Sequence, residues 1–520
     1  LTLQGKTNLF DFYKTLERVT DDSGLQEHAM SHVVRLWRHL TMLKRGGRAH
    51  DPAGIAATCE GGLAVECPAC PHPGKNLPTG WEDAPPHIRW LYTLFLMIDA
   101  NFRARCKDRG LSDVELAPGW AYFVEDSRYL HHVENRGGQQ EENSCSAEHK
   151  AIVNANLRKE GYIASGVGAV LCARHALVRK NGAGDLQKGE RYCNMDYIVL
   201  STLIGVTVAL LLSYDIACQW SKNLPKRIET FPEHMQFDVT ASPMRFAIPK
   251  KHFPVHGPNH SKYSLNFLPH VGRTYGEGIE SSWSHINPIS LSTREMGPAM
   301  RHEVMNDHWA SWNWHKVTGL AGHLLRSLRE AKSMHSKQLA ISNDFTATFP
   351  LETVQRWERM VEAWNNDPSE PDPYEEPKSV ITMSQVRLQL ANEESDESAR
   401  GVIHLHETSP SIFLQVGLDL EEQQRVIKDL LHDKGSLKNL ANIQEKRNVL
   451  QRRLEAWRVI QDIYMPTAAQ LYRPVRREGN ADQGVEPVVA QPELWTLGLP
   501  SSLPANLRLG TYMVPLMEIE

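Results

Sequence analysis

Two carboxylates in this chain stand where an acid is costly unless positive charge meets it. Val206 to Leu212 is an apolar run, β-branched at its start, that leads through Ser213 and Tyr214 into Asp215. The pattern fits a buried strand ending in a pocket. A carboxylate at such a strand end needs a metal ion or a buried basic side chain. Asp215 therefore reads as half of a divalent-metal site, to be completed by a second acid on a neighbouring strand and a third from a helix. Trp90 to Ile98 repeats the pattern and ends in Asp99, followed by Ala100, Asn101 and Phe102. An Asp after a strand often caps a turn. The shared context, an apolar strand and then Asp, favours the metal reading for both.

Sulfur and imidazole suggest a different metal. Cys67-Pro-Ala-Cys70 has the spacing of half a zinc site. The next few dozen residues add only His72 and His87, and Pro71, Pro73 and Pro78 forbid the helix that a redox motif needs. A plain loop is the alternative. His252, His256 and His260 recur every fourth residue, with His270 further on. Pro249, Pro254, Gly257 and Pro258 make this stretch a loop, which can still gather imidazoles around zinc. Surface histidines are the bland alternative in a chain that has 24 of them.

The elements that must position these groups are read from periodicity. Residues 1–46 are helical in pattern until Gly46-Gly47 stops them. Trp120 to Val124 fits a hairpin strand after the Pro118-Gly119 turn. Residues 125–145 read as an exposed polar loop, and Cys145 and His149 open a second candidate helix. Ala164 to His175 is a Gly-punctuated strand without the Gly-Lys-Ser/Thr of a nucleotide P-loop. Trp309 and Trp312 are neighbours at helical spacing and fit core packing, with stacking on an unpaired base as the functional alternative. Residues 316–342 form a basic amphipathic helix carrying Lys316, Arg326, Arg329, Lys332 and Lys337. From Leu418 to Tyr464 the apolar stripes, broken at Gly435-Ser436, predict an antiparallel helical hairpin.

Bulk properties bound these readings. With 520 residues the chain holds several domains, and 41% hydrophobic with 23% charged residues is a soluble balance. A net charge of −5 leaves any nucleic-acid contact to local patches. The stretch from Tyr197 to Tyr214 is interrupted by Ser201, Thr202, Gly205 and Thr207 and bracketed by Asp196 and Asp215, so no membrane partner is expected. Eight Cys in so long a chain point to a reducing compartment, with thiols free for metal. There is no secretory signal pattern, and the missing initial Met leads us to expect a fragment.

Several long words occur in one continuous order: Cys67-Pro-Ala-Cys-Pro-His-Pro-Gly74, Ile98-Asp-Ala-Asn-Phe102, Asp185-Leu-Gln-Lys-Gly-Glu-Arg-Tyr-Cys-Asn-Met-Asp-Tyr197, Tyr214-Asp-Ile-Ala-Cys-Gln-Trp220, and Gly272-Arg-Thr-Tyr-Gly-Glu-Gly-Ile-Glu280 with Trp283. Together they resemble the Kyakuja-Dileera-Zisupton (KDZ) transposases. The resemblance implies an α/β fold with a ribonuclease H-like catalytic core, a helical N-terminal region and an α-helical C-terminal extension. It implies a DDE active site in which Asp99 and Asp215 are the first two carboxylates and Glu280, or else Glu277, the third. Three converging acids need divalent cations. Hard oxygen ligands suit Mg²⁺ or Mn²⁺, and two such ions about 3.5–4 Å apart can drive in-line phosphoryl transfer.

The resemblance also implies DNA partners (element ends and target), a homo-oligomer and a nuclear location. Lys222, Lys226, Arg227, Lys250 and Lys251 flank the expected site and are the candidate DNA contacts. The family's His, His and Cys near residue 260 imply zinc, here with His260 in place of Cys, and Cys218 is a candidate further ligand. A second departure is Tyr275, where the family commonly has Asp. A copy that has lost catalysis and keeps DNA or protein binding is therefore the alternative function. The expected boundaries are a helical N-terminal segment at 1–60, following a missing upstream module, and the core at 61–300. A helical, partly basic extension at 301–364 and an acidic linker at 365–400 follow. A helical hairpin or coiled-coil-like region at 401–473 and a Pro-rich, mostly irregular tail at 474–520 complete the chain.

Overall fold

The computed structural model describes residues 2–20, 29–136, 160–375, 383–401, 405–432, 437–472 and 491–503. The candidate helix at Cys145 and His149 and the Gly435-Ser436 break lie outside the described residues. The chain forms two compact units, Leu1–Glu376 and Pro377–Glu520.

In the first unit, helices α1 (Leu9–Thr20) and α2 (Ala29–Arg45) precede a mixed sheet. Its strands are β1 (Leu94–Asn101), β2 (Gly166–Cys172), β3 (Val178–Leu186), β4 (Leu210–Ser213) and β5 (Met244–Ala247). They lie in the order β3-β2-β1-β4-β5. β2 is antiparallel to both β1 and β3, whereas β1, β4 and β5 run parallel. The near-continuous apolar character of β1 and β4 follows from burial on both faces. Leu94, Leu96 and Ile98 pack with Ile198 and Leu200 of α4 (Tyr192–Leu203). Met97, on the opposite face, packs with Trp283 of α6 (Ile279–Ile286) and with Met305 and Trp309 of α7 (Pro298–Thr346). This is a layered α/β arrangement. The paired glycines Gly168 and Gly184 let α4 sit close, since a Cβ on either would press on Met195 or Ile198.

Three expectations are corrected. Residues 126–135 are not part of an exposed loop but form α3 (Asp126–Asn135), capped by Glu125 and burying Tyr129 and Val133. Trp120 to Val124 is not a hairpin strand, because among those residues only Phe123 makes an isolated bridge, to Ala183. The apolar stretch after Asp196 is divided between α4, buried at every residue, and the short strand β4. No described helix is long and apolar enough to cross a membrane.

α7 is anchored by polar groups distant in sequence. Asp113 caps its first turn, accepting from the Ala299 and Met300 amides at 3.1 and 2.9 Å. Asn313 satisfies the start of β3, accepting from the Val178 amide and donating to its carbonyl at 2.9 and 2.8 Å. Arg301 lies fully buried and donates to both oxygens of Asp185 at 2.6 and 2.7 Å, while His302 Nε2 lies 3.1 Å from the same carboxylate. Trp309 is in the core, as its spacing suggests, whereas Trp314 is exposed. α8 (Leu351–Asn366) follows α7 in the chain.

The second unit is helical. α10 (Pro410–His432) and α11 (Leu437–Tyr464) pack through Phe413, Leu420, Leu450 and Trp457, with the Phe413 and Trp457 rings stacked 4.8 Å apart. Part of the segment read as an acidic linker forms α9 (Met383–Ala399), and α12 (Pro466–Leu471) follows the pair. Residues 491–503 of the tail pack onto these helices, and Gln424 donates to the Pro492 and Trp495 carbonyls at 2.8 and 2.7 Å.

The buried ion network gives a stability prediction. Burial pushes Asp185 up, but the charges of Arg301 and His302 outweigh it and hold the carboxyl at about 2. Burial pushes His302 down, but Asp185 outweighs it and holds the imidazole at about 10. Asp185's contribution is complete above its unfolded value of 3.8 and is lost as pH falls through about 2. That of His302 is complete below 6.5 and is lost as pH rises through about 10. Asp185→Asn leaves Arg301 buried and unpaired and is expected to cost about 3–5 kcal/mol in denaturant unfolding. It should also flatten the decline in stability between neutral and alkaline pH.

Candidate functional site

The parallel register of β1 and β4 sets two acids side by side. The last pair is Met97 opposite Ser213, and two residues further along each chain stand Asp99 and Asp215. Trp283 Nε1 donates to Asp99 Oδ2 at 2.6 Å and fixes that carboxylate from α6. Asp215 accepts from the Ile216 amide at 2.8 Å. Burial, with the charges of Asp215 and Glu280, raises Asp99 to about 7 despite the Trp283 bond.

Glu280 is exposed in the first turn of α6. The segment before it lies against the strand ends. Gly276 has φ 75°, and a Cβ there would collide with Ser213 of β4. A Cβ on Gly278 would press on Met97 of β1. Glu277 is turned elsewhere: its carboxylate accepts from the Lys251 amide and lies 3.6 Å from Lys251 Nζ.

A fourth acid was not anticipated. Glu190 is buried and accepts from the Tyr214 hydroxyl at 2.5 Å. Burial and the charges of Asp215 and Asp99 push it well above the usual carboxylate range. No apolar run leads into it, so periodicity gives no hint. Its only sequence signal is its place in the long word from Asp185 to Tyr197. Carboxylates that raise one another in this way are stabilised by a multivalent cation, and all-oxygen donors fit a hard one.

The half zinc site at Cys67 and Cys70 is completed from a distance. Cys172, at the end of β2, and His175, in the following turn, join them. The four ligand atoms lie within 4.8 Å of one another. Cys67 Sγ is 3.3 Å from His175 Nδ1, and Cys70 Sγ is 3.1 Å from Cys172 Sγ. Three sulfurs and one imidazole nitrogen fit tetrahedral zinc. His72 is turned away, its Nε2 2.9 Å from the Cys67 carbonyl. The missed pair had a signal, since Cys172-Ala-Arg-His175 repeats the two-residue spacing of Cys67 and Cys70.

A second group unites Cys218, His256 and His260. Cys218 Sγ is 3.6 Å from His256 Nδ1. His260 Nδ1 donates to the Pro258 carbonyl at 2.8 Å, which directs Nε2 toward a ligand. His252 does not belong to the group: it is exposed just before the turn Phe253–His256, so the loop gathers only two of its three imidazoles. These two Cys/His groups could hold a metal such as zinc.

The candidate DNA contacts divide. Lys226 and Lys251 are exposed, and Lys250 Nζ lies 5.3 Å from the centre of the Tyr275 ring. Lys222 is exposed on the turn after α5 (Ala217–Trp220). Arg227 is half-buried and its guanidinium is engaged, donating to Asp196 at 2.5 and 3.1 Å and to the Trp220 carbonyl at 2.8 Å. It braces the fold and is not a phosphate contact.

Residues 92–313 match the family model described as KDZ: Kyakuja-Dileera-Zisupton transposase. The resemblance read from the sequence holds over that segment. It contains all four acids, Cys172 and His175, and the Cys218 group, whereas Cys67 and Cys70 precede it. No curated protein and no solved structure matches the chain.

If both Cys/His groups hold zinc, elemental analysis of purified protein will find about two zinc ions per chain. Cys172→Ser will then reduce this to about one and lower the melting temperature. Less than one zinc in the unaltered protein would contradict the assignment.

Proposed function

We propose that this chain is a DDE-type DNA transposase with a ribonuclease H-like core, cutting and joining DNA by phosphoryl transfer. The observation that carries the proposal is the side-by-side placement of Asp99 and Asp215 at the ends of neighbouring parallel strands, within the segment that matches the transposase family. The strand order, with β2 antiparallel between β1 and β3 and with β1, β4 and β5 parallel, supports the core assignment.

In this reading Asp99 and Asp215 would hold Mg²⁺ or Mn²⁺, with Glu280 as third carboxylate and Glu190 buried behind them. Divalent ions bound there would activate the attacking oxygen and stabilise the leaving one. Trp283 keeps Asp99 oriented. Burial and the neighbouring acids raise Asp99, so cation binding there would be linked to loss of its proton. Lys222, Lys226, Lys250 and Lys251 contact the DNA backbone, positioning it without reading sequence. Nuclear action and assembly into a homo-oligomer belong to the same reading. Zinc at the two Cys/His groups would fasten the loops around the cleft.

Tyr275 favours a second reading, a copy without catalysis that retains binding, because a phenol cannot replace a carboxylate as an anchor for a hard cation. Assays of nicking and strand transfer on DNA carrying the element's own ends separate the two. The transposase reading predicts activity that requires Mg²⁺ or Mn²⁺ and that falls at least ~1,000-fold in Asp215→Ala and in Asp99→Asn. Activity surviving Asp215→Ala would overturn the site assignment, and an unaltered protein that binds these ends without cutting them would establish the second reading.

A further inference from the structure

Beside the acids lies a cavity of about 360 Å³, bordered on one side by His175 of the Cys67 group. Tyr275, Gly276, Gly278 and Ser281 line it, so it borders the segment that carries Glu280. Its cationic lining comes from Arg174, in the turn after β2, and Lys316, on α7. His315 and His323 add imidazoles, and no acid is among the lining residues. His315 Nδ1 donates to the Ser311 carbonyl at 2.7 Å, leaving Nε2 as the nitrogen that can accept. Ala176 and Leu320 contribute apolar wall. At the mouth stands Tyr275, 51% exposed, with Lys250 Nζ 5.3 Å from its ring centre and the Arg273 guanidinium, which also pairs with Glu330 at 2.7 Å, 6.0 Å from it.

Cations without acids call for an anionic ligand, and an exposed aromatic face calls for a flat one. A nucleotide is both. The volume is near the lower end of small-ligand pockets and suits one nucleotide, not a duplex. A base offers its face for stacking only when it is unpaired. We propose that this cavity takes one unpaired nucleotide of the DNA substrate, its base stacked on Tyr275 and its phosphate held by Arg174 and Lys316. The proposal rests on the DNA-processing reading and adds to it a preference for DNA whose strands are locally separated beside the cleft. It also gives Tyr275 a role, as a stacking surface beside Lys250 and Arg273.

The test is fluorescence anisotropy of labelled DNA without added divalent ions, so that nothing is cut. Two duplexes of the same sequence are compared, one blunt and one with a short single-stranded overhang. Tyr275→Ala is expected to weaken binding of the overhang duplex about 5- to 100-fold. Tyr275→Phe, which keeps the ring, should bind it like the unaltered protein, and neither variant should change blunt-duplex affinity. Lys316→Ala should reduce the salt dependence of overhang binding by about one phosphate contact. Tyr275→Ala binding the overhang as tightly as the unaltered protein would overturn the proposal, as would equal weakening for both DNAs. Tyr275 is exposed, and the Phe variant controls for misfolding. The readout does not depend on Asp99 or Asp215. Failure of the cutting assay with a Tyr275-dependent overhang preference would count against catalysis alone, and the converse against this subsite alone.

Discussion

Like charges brought together in a poorly solvated place must be neutralised, and the core of this protein creates that situation. The parallel pairing of β1 with β4 puts Asp99 and Asp215 at equivalent positions beyond the last strand pair. Glu190 approaches from the buried side, hydrogen-bonded to Tyr214, the residue just before Asp215. Burial and mutual repulsion keep Asp99 and Glu190 above the usual carboxylate range. Contrast this with Asp185, also buried, which Arg301 and His302 bring down to about 2. The same residue type is thus held in two electrostatic states by its neighbours. One state holds the fold together, and the other is one that an external cation would relieve.

The surroundings are arranged to keep the cleft in shape. Trp283 ties Asp99 to α6, and the close approach of Gly276 to Ser213 sets the segment that carries Glu280 against the sheet. The Cys218 group begins three residues after Asp215, so a metal held there would fix the turn that follows this acid. The Cys67 group joins an early loop to the tip of the β2–β3 hairpin. Arg174 lies between two of its members, so the same staple would hold a cation at the edge of the cavity near Tyr275.

Much of this was legible in the chain where the signal was local. Asp99 and Asp215 each end an apolar run, and burial of β1 and β4 on both faces is the physical reason those runs are continuous. Cys67 and Cys70 declared half a metal group by spacing alone. The rest depended on tertiary proximity. Cys172 and His175 lie about a hundred residues further on, and only the hairpin brings them back. Glu190 has no local pattern at all. His252 misled because a loop's path does not follow from its spacing and this one leaves the first imidazole in solvent, and Arg227 because a basic residue in a short polar stretch looks solvent-facing until Asp196 is seen beneath it. Trp120 to Val124 has strand-like composition, but only Phe123 bridges to Ala183, and the segment packs against α7 through Phe123, Tyr122 and Trp309.

The central claim is that Asp99 and Asp215 share a divalent cation. Anomalous diffraction from crystals soaked in Mn²⁺ tests it without requiring any knowledge of the DNA. The account predicts a manganese peak within coordination distance of carboxylate oxygens from both residues, absent in crystals of Asp215→Asn. A fully soaked crystal with no peak between them, or with the same peak persisting in that variant, would contradict it.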